Sequence, residues 1–160
     1  MVPYRRILVP LDNSGADRAI LQHVAALATA FKAEVVLLRV AHFHLRDEMT
    51  HEVEEAEEVV DETAAGLREA GFPVRVVVGK GEIADDIVTQ AELLDCDLIA
   101  MGTHGHGALK RAVLGSVAEK VRHATNVPLL LVKASAAADR SSPPAAGGSA
   151  AGSTDASGQG

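Results

Sequence analysis

The sequence predicts a doubly wound α/β domain with a parallel sheet, and three observations support this fold class. Five short apolar runs, rich in β-branched residues, recur along the chain. These runs are continuous rather than alternating, which is typical of strands that are buried on both faces of a parallel sheet. Segments with a helical period separate the runs, so that strand and helix alternate four times. Right-handed crossovers would then place helices on both faces of the sheet.

Each predicted element has its own local signal. The five strands are predicted at Ile7–Leu11, Val35–Val40, Val74–Val78, Leu98–Met101 and Leu129–Val132. Apolar residues at helical spacing predict four buried helix faces: Ile20, Val24, Leu27, Ala28 and Phe31; Val53, Ala56, Val60, Ala64 and Leu67; Ile83, Ile87, Ala91 and Leu94; and Val117, Val121 and Ala124. Gly71 and Pro73 predict the end of the second helix and the start of the third strand.

The bulk composition disfavours several classes of protein. A chain of 160 residues has room for one domain with a sizeable core. Its formal net charge of −7 argues against a nucleic-acid binder or an electrostatic membrane anchor, since both carry basic surfaces. No apolar run approaches the roughly 20 residues that span a bilayer, and no signal-peptide pattern opens the chain. Cys96 is the single cysteine, so we expect no internal disulfide and a cytoplasmic protein.

The composition divides the chain into two parts. Residues 1–133 contain all the predicted strands and helices, and we expect them to form the folded domain. From Ala134 onward the sequence is dominated by Ala, Ser, Gly and Pro, with almost no bulky side chain. Such a segment cannot bury enough apolar area to offset its ordering entropy. We therefore expect residues 134–160 to be a disordered tail.

The richest candidate site follows the fourth predicted strand. Gly102 and Gly105 are expected to turn the chain sharply off that strand and to expose backbone N–H groups. Gly115 and Ser116 then begin the last helix, whose first N–H groups lack helical partners and lie at the positive end of its dipole. Two cations stand between the glycines and could supply countercharge: Lys110 and Arg111. The combination favours phosphate binding over a simple turn and helix start.

Two other nucleotide signatures give weaker matches. The Walker A pattern is absent from the chain, which argues against a P-loop NTPase. A G-x-G-x-x-A pattern does occur at Gly79, Gly81 and Ala84, with Asp97 further along. It follows the third strand instead of opening the domain, however, and a strand-to-helix turn explains it better than dinucleotide binding.

Four histidines follow predicted strand ends, and they allow a second interpretation of the same edge: His42, His44, His104 and His106. Imidazoles are common ligands of transition metals, so a zinc-type site is conceivable there. No cysteine or paired carboxylate stands at ligand spacing beside them. Polar surface residues are the favoured interpretation.

Two segments resemble the universal stress protein family. One is ILVPLDNS at the first strand, and the other is MGTHGHGALKRAVLGSVAEKVRHATNVPLLLVK. The second segment matches the pattern G-x2-G-x9-G-[S/T] of the family's ATP-binding branch through Gly102, Gly105, Gly115 and Ser116. The resemblance extends from Tyr4 to about Lys133 and leaves the tail outside it.

The resemblance implies a fold and a ligand. It implies a Rossmann-like, five-stranded parallel sheet in the order 3-2-1-4-5, and ATP bound with Mg²⁺ or Mn²⁺. Residues implied to line the adenine and ribose pocket are Pro10 and Asp12, with the backbone of Val40 against the base. Those implied to border the ribose and the α-phosphate are Met101, Gly102, His104 and Gly105. Those implied to bind the β- and γ-phosphates are Gly115, Ser116 and Val117.

The function implied by the resemblance is regulatory. We expect an ATP-binding stress-response protein that signals to an unknown protein partner through a nucleotide-loaded homodimer, paired along the apolar fifth strand, Leu129–Val132. One alternative is a slow ATPase or autophosphorylating enzyme with Ser116 as the acceptor. Another is a dimeric scaffold that binds no ligand. We expect no nucleic-acid partner, no membrane insertion and at most weak ATPase activity.

Overall fold

A computed structural model of the protein describes residues 3–11, 15–41, 49–103 and 115–133. Strands and helices alternate along those residues as β1 (Arg6–Leu11), α1 (Gly15–Phe31), β2 (Glu34–Ala41), α2 (Met49–Glu69), β3 (Val74–Lys80), α3 (Ile83–Leu93), β4 (Leu98–Thr103), α4 (Ser116–Ala124) and β5 (Leu129–Lys133). The strands form a parallel five-stranded sheet in the order β3-β2-β1-β4-β5, which confirms the predicted fold class. The proposed tail, 134–160, lies outside the described residues.

Helices cover both faces of the sheet, and this arrangement explains the continuous apolar runs. Alternate residues of the central strands belong to two separate core clusters, so Val9 and Leu37 pack with α1 and α2, whereas Leu8 and Leu38 pack with α3 and α4. A strand that contacts apolar helices on both faces is apolar at consecutive positions instead of at alternate ones. The sheet is therefore the middle layer of a three-layer domain.

The predicted helix faces agree with the structure at the described side chains, with one exception; the side chains of Val53 and Ala56 lie outside the description. Ile20, Val60, Ile87 and Val121 are all fully buried against the sheet. Ala124, in contrast, is exposed, because it is the last residue of the short helix α4 and lies beyond the core. The residue that completes the buried face of α4 is Ala118.

Helix α2 ends in a glycine cap, as the sequence predicts. Gly71 has a φ of +94°, a left-handed conformation that side chains rarely adopt. Its N–H donates to the carbonyl of Arg68 (2.9 Å), and the N–H of Phe72 donates to the carbonyl of Leu67 (3.1 Å). This pair of hydrogen bonds is the Schellman motif, which satisfies the last carbonyls of a helix.

Charged side chains close the amino edge of the sheet. The carboxylate of Asp97 accepts hydrogen bonds from the backbone N–H groups of Arg5 (2.9 Å) and Arg6 (3.0 Å). Glu34 accepts one from the Arg6 guanidinium (2.6 Å) and one from that of Arg75 (3.1 Å). Burial is the largest single influence and would raise the pKa of Glu34, but these two hydrogen bonds and the charges of both guanidinium groups together hold the pKa below its ordinary value.

Within the described ranges, none of the helices combines the length and the apolar character that crossing a bilayer requires.

Candidate functional site

The two central strands part at the carboxyl edge of the sheet. Strand β1 pairs with β2 along all six of its residues. In the described part of the chain it pairs with β4 only through Ile7 with Leu98 and Leu8 with Ile99. Because neighbouring crossovers leave in opposite directions at this switch point, the carboxyl ends of β1 and β4 border a crevice. Ligands of doubly wound domains bind in such a crevice.

Pro10 explains why the ladder between β1 and β4 stops. The carbonyl of Arg5, just ahead of β1, accepts a hydrogen bond from the N–H of Glu34 at the start of β2 (2.9 Å). Backbone groups point to alternate sides along a strand, so those of Pro10 point toward β4. Beyond the last pair, the next ladder bond would run from residue 10 to the carbonyl of Ala100. Proline carries no N–H, so this bond cannot form. Pro10 thus lies where the described β1–β4 ladder ends, at the carboxyl edge of the sheet.

The backbone of Val40 faces the same crevice from the other side. The N–H of Glu34 points to β1, so every second residue of β2, including Val40, does the same. The described part of β1 ends at Leu11, whose register partner is Arg39. The carbonyl of Val40 therefore points toward the side where β1 lies, one residue past the last described pair of the two strands. It is an acceptor at the carboxyl edge of the sheet.

A cation that the sequence analysis did not single out fixes the end of β1. The guanidinium of Arg39, which is half-buried, donates a hydrogen bond from Nη1 to the carbonyl of Leu11 (2.8 Å). Leu11 directly precedes Asp12, the residue implied to contact the ribose. The signal in the sequence was a single charge inside the apolar run VVLLRV. Arg39 therefore restrains the chain at the point where it leaves the sheet.

Gly102 serves the packing of the protein itself. A Cβ at this position would lie 2.8 Å from the Cβ of Ala16, closer than real Cβ atoms approach, and 3.0 Å from the Ala16 carbonyl oxygen, which is also tight. The absence of a side chain lets the first turn of α1 pack directly on β4. The predicted turn at Gly102 is wrong, because β4 continues through it to Thr103.

Gly115, unlike Gly102, has free space among the described atoms where a side chain would lie. Its φ of −53° and ψ of 149° are open to any residue, and a Cβ there would meet nothing within 4 Å in the described part of the protein. The residue is exposed and immediately precedes α4. Neither backbone strain nor packing against described atoms calls for glycine here. The space beside Gly115 is thus free of described atoms.

The start of α4 has the chemistry of an anion site. Its N-cap makes no side-chain hydrogen bond, and the first helical bond runs from the N–H of Glu119 to the carbonyl of Gly115 (3.0 Å). The N–H groups of Ser116, Val117 and Ala118 precede that bond, so the helix supplies them with no acceptor. Ser116 is exposed, and its hydroxyl adds another donor. These donors and the adjacent open volume fit a phosphate group.

Several predicted site residues lie outside the described residues: Asp12, His104 and Gly105, the cations Lys110 and Arg111, and the histidines His42, His44 and His106. Their part in the site stays a prediction. Met101 is described; its side chain is buried in the core between the sheet and α3 and α4. The residues with described positions contain no cluster of three His, Cys, Asp or Glu side chains that could hold a metal ion.

The glycines of the G-x-G-x-x-A pattern have structural roles. A Cβ on Gly79 would overlap the carboxylate of Asp86, which is packed over this end of β3. Gly81 has a φ of +112°, so it makes the turn from β3 into α3. Both observations favour a strand-to-helix turn over a dinucleotide site.

The fold and the site together define a doubly wound α/β protein with a switch-point crevice and an uncapped helix start at its carboxyl edge. The sequence profile of the universal stress protein family matches residues 3–133. The chain belongs to this family.

Individual relatives agree with the assignment. Universal stress protein MJ0577 of Methanocaldococcus jannaschii is 33% identical over 156 residues, an alignment that covers 82% of this chain and 96% of that protein. A solved structure of MJ0577 superposes with a TM-score of 0.72 at 35% identity, covering 84% of this chain and 99% of that chain. The universal stress protein of Archaeoglobus fulgidus, solved in complex with dAMP, superposes with a TM-score of 0.64 at 25% identity, covering 82% and 100%.

Proposed function

We propose that this protein is an ATP-binding regulator of a stress response, and that its nucleotide-loaded dimer is the signalling form. The observation that carries the proposal is the open volume beside Gly115 at the uncapped start of α4. A residue that neither the backbone nor the packing requires to be glycine is best explained by a ligand that occupies the place of its side chain.

The phosphates of the nucleotide bind at this helix start. The N–H groups of Ser116 and Val117 donate to phosphate oxygens, and the Ser116 hydroxyl adds a further donor. The positive end of the α4 dipole, equivalent to roughly half an elementary charge, favours the negative charge there. Mg²⁺ or Mn²⁺ accompanies ATP and takes most of its ligands from phosphate oxygens and water.

The adenosine part binds in the crevice between β1 and β4. The carbonyl of Val40, which faces this crevice, accepts a hydrogen bond from the exocyclic amine of adenine. Pro10 and Asp12 line the base and ribose pocket, and the backbone around Met101 and Gly102 borders the ribose and the α-phosphate with His104 and Gly105. The dAMP complex of the Archaeoglobus fulgidus relative supports an adenine nucleotide as the class of ligand.

A second copy of the chain pairs along β5. Leu129, Leu130, Leu131 and Val132 are all partly exposed, and β5 is an edge strand of the described sheet. An apolar edge with open backbone groups is prone to pair with another chain. Sedimentation equilibrium should give a dimer, and Leu131→Lys should shift it toward monomer. A wild-type protein that is still monomeric at about 50 μM would refute the dimer, because a dimer with a Kd of about 1 μM would be mostly formed at that concentration.

Hydrolysis is the alternative function that needs testing. Ser116 is placed to receive a phosphoryl group, yet Asp12 is expected beside the base and ribose, far from an in-line attack on the γ-phosphate. We therefore propose binding with at most weak ATPase activity, in a cytoplasmic protein that reports to a partner of unknown identity. Sustained turnover above about one per second, a value typical of enzymes, would overturn this if Gly115→Val removed it.

The first experiment is chromatography of the nucleotides released when freshly purified protein is denatured, followed by calorimetric titration with ATP and magnesium. The proposal predicts stoichiometric release of ATP, or its tight binding by the emptied protein. Released ADP would instead indicate slow hydrolysis. If nothing is released and ATP does not bind, the scaffold that binds no ligand becomes the better account.

A further inference from the structure

An ion pair joins the two helices that flank the proposed phosphate site. The ammonium of Lys120, on α4, donates to Oε1 of Glu82 at 3.0 Å. Glu82 is the N-cap residue of α3, yet its side chain makes no hydrogen bond to that helix. A carboxylate at a helix N-terminus would ordinarily stabilise its own first turn. Here it contacts the neighbouring helix instead.

The pair lies at the carboxyl edge of the sheet, close to the start of α4. Helices α3 and α4 lead into strands of one parallel sheet, so both begin at that edge. Lys120 follows Ser116 by four residues, which places the two side chains on the same side of the helix. Helical side chains lean toward the N-terminus of their helix. The lysine stem therefore leads toward the proposed phosphate position.

The ion pair is exchangeable. The side chain of Lys120 is 63% exposed and that of Glu82 is 46% exposed. Ion pairs with such exposure contribute little to stability, because water and salt screen them. A nucleoside triphosphate brings several negative charges to the same region, so it competes effectively with the single Glu82 carboxylate for the Lys120 ammonium.

The other basic side chains of α4 are committed elsewhere. The guanidinium of Arg122 donates to Glu119 on its own helix at 2.7 Å, and the His123 ring contacts the same carboxylate at 2.9 Å. Both lie nearer the end of the helix than Lys120 does. Among the described cations of this helix, Lys120 is thus the one with a route to the helix start.

We propose that Lys120 is a specificity-determining residue: its ammonium moves from Glu82 to the terminal phosphate of a nucleoside triphosphate. The exchange favours ATP over AMP, because a monophosphate does not extend to the ammonium. It also breaks the ion pair between α3 and α4, which stay packed through the core residues Ile87 and Val121, so this one link depends on the phosphate count. This inference rests on the proposed nucleotide site and adds its selectivity.

Calorimetric titration of ATP·Mg and of AMP into three proteins tests the proposal. Lys120→Gln should weaken ATP binding by about tenfold, the usual size for a lost hydrogen bond between charged groups, and AMP binding by less than about twofold. Glu82→Gln should strengthen ATP binding, because it releases the ammonium in advance. In the double variant the Glu82→Gln gain should disappear, since its benefit acts through the lysine.

Arg122→Gln is the matched control, because it removes a positive charge from the same exposed helix. It should leave the ratio of ATP to AMP affinity unchanged. If Lys120→Gln changes the affinities for ATP and AMP equally, or changes neither, the inference is wrong while the nucleotide site stands. A wild-type protein that binds neither nucleotide overturns the proposed function, and this inference with it.

Discussion

The two edges of the sheet satisfy their backbone groups in different ways. At the amino edge, side chains supply the partners: Asp97 accepts hydrogen bonds from the N–H groups of Arg5 and Arg6, and Glu34 accepts them from two guanidinium groups. Cys96 is buried beside them, where desolvation raises the pKa of its thiol to about 11. At the carboxyl edge, the β1–β4 ladder stops early and α4 begins without a side-chain cap. The amino edge is closed by side chains, whereas the carboxyl edge leaves backbone groups without a partner among the described residues, and our proposal assigns these groups to a ligand.

The same contrast separates two glycines of one motif. Gly102 is required because the first turn of α1 occupies the place of its side chain, whereas Gly115 faces open volume. The spacing pattern treats both residues as parts of one phosphate site. The structure assigns packing to the first, and our proposal assigns ligand binding to the second. Substitutions at the amino edge and at Gly102 should thus change stability, and substitution at Gly115 should change binding.

The largest effect is expected from Gly115→Val. The valine side chain would occupy the phosphate position, so ATP affinity should fall by at least about a hundredfold, or roughly 2.7 kcal/mol. The melting temperature of the nucleotide-free protein should fall by at most a few degrees, because a Cβ meets no described atom there and the remaining cost, about 1 kcal/mol, is the poorer N-cap preference of valine. Calorimetry and a thermal melt measure the two quantities. Normal ATP binding by this variant would contradict the phosphate assignment.

Gly102→Ala should show the opposite pattern. Its methyl group would overlap Ala16, so urea denaturation should show a loss of about 1–3 kcal/mol, the usual cost of overpacking. Gly66→Ala is a suitable control, since Gly66 is exposed within α2 and has free space around it. The control should gain about 0.5–1 kcal/mol from helix propensity. If Gly102→Ala is as stable as the wild type, the close contact with α1 is not required.

Glu34→Gln tests the closed edge. The hydrogen bonds from Arg6 and Arg75 lower the pKa of Glu34, so its stabilising contribution is present above the unfolded pKa of about 4.3 and is lost as the pH falls through the folded pKa. The variant should be less stable than the wild type by about 1 kcal/mol at pH 7, and the difference should shrink toward pH 3. Urea titrations at both pH values measure it. A difference independent of pH would show that the carboxylate charge does not contribute.

The smallest effect is expected from truncation after Lys133. The sequence of residues 134–160 lacks the bulky apolar side chains that a packed segment needs. Removing them should change neither the melting temperature nor the ATP affinity. A loss of several degrees would assign the segment a role in the fold.

The strands and helices could be predicted because each carries a local signal, either a continuous apolar run or a helical period. The order of the strands came from the resemblance, since periodicity does not specify neighbours. The turn predicted at Gly102 was wrong, because the residue that Gly102 packs against, Ala16, is distant in the sequence and no local signal shows the contact. Asp97 illustrates the same limit: the sequence analysis weighed it as part of a dinucleotide pattern, whereas the structure binds it to the start of β1.

The candidate site likewise contains one feature that the sequence predicts and others that depend on tertiary contacts. The uncapped start of α4 was predictable, because Gly-Ser before an apolar helical period indicates a helix N-terminus. Arg39 was missed because its partner is a backbone carbonyl on the neighbouring strand. The pairing of Lys120 with Glu82 also depends on how two helices pack, which no local pattern encodes.

The measurement that tests the central claim most directly is a ¹⁵N–¹H NMR titration of the protein with ATP and magnesium, following the backbone amides. The account predicts that the amides of Ser116 and Val117 show the largest shifts, because they donate to phosphate oxygens. The amides of Arg5 and Arg6, which already donate to Asp97 at the amino edge, should be unaffected. Large shifts confined to the amino edge, with the start of α4 unchanged, would contradict the assignment of the carboxyl edge as the nucleotide site.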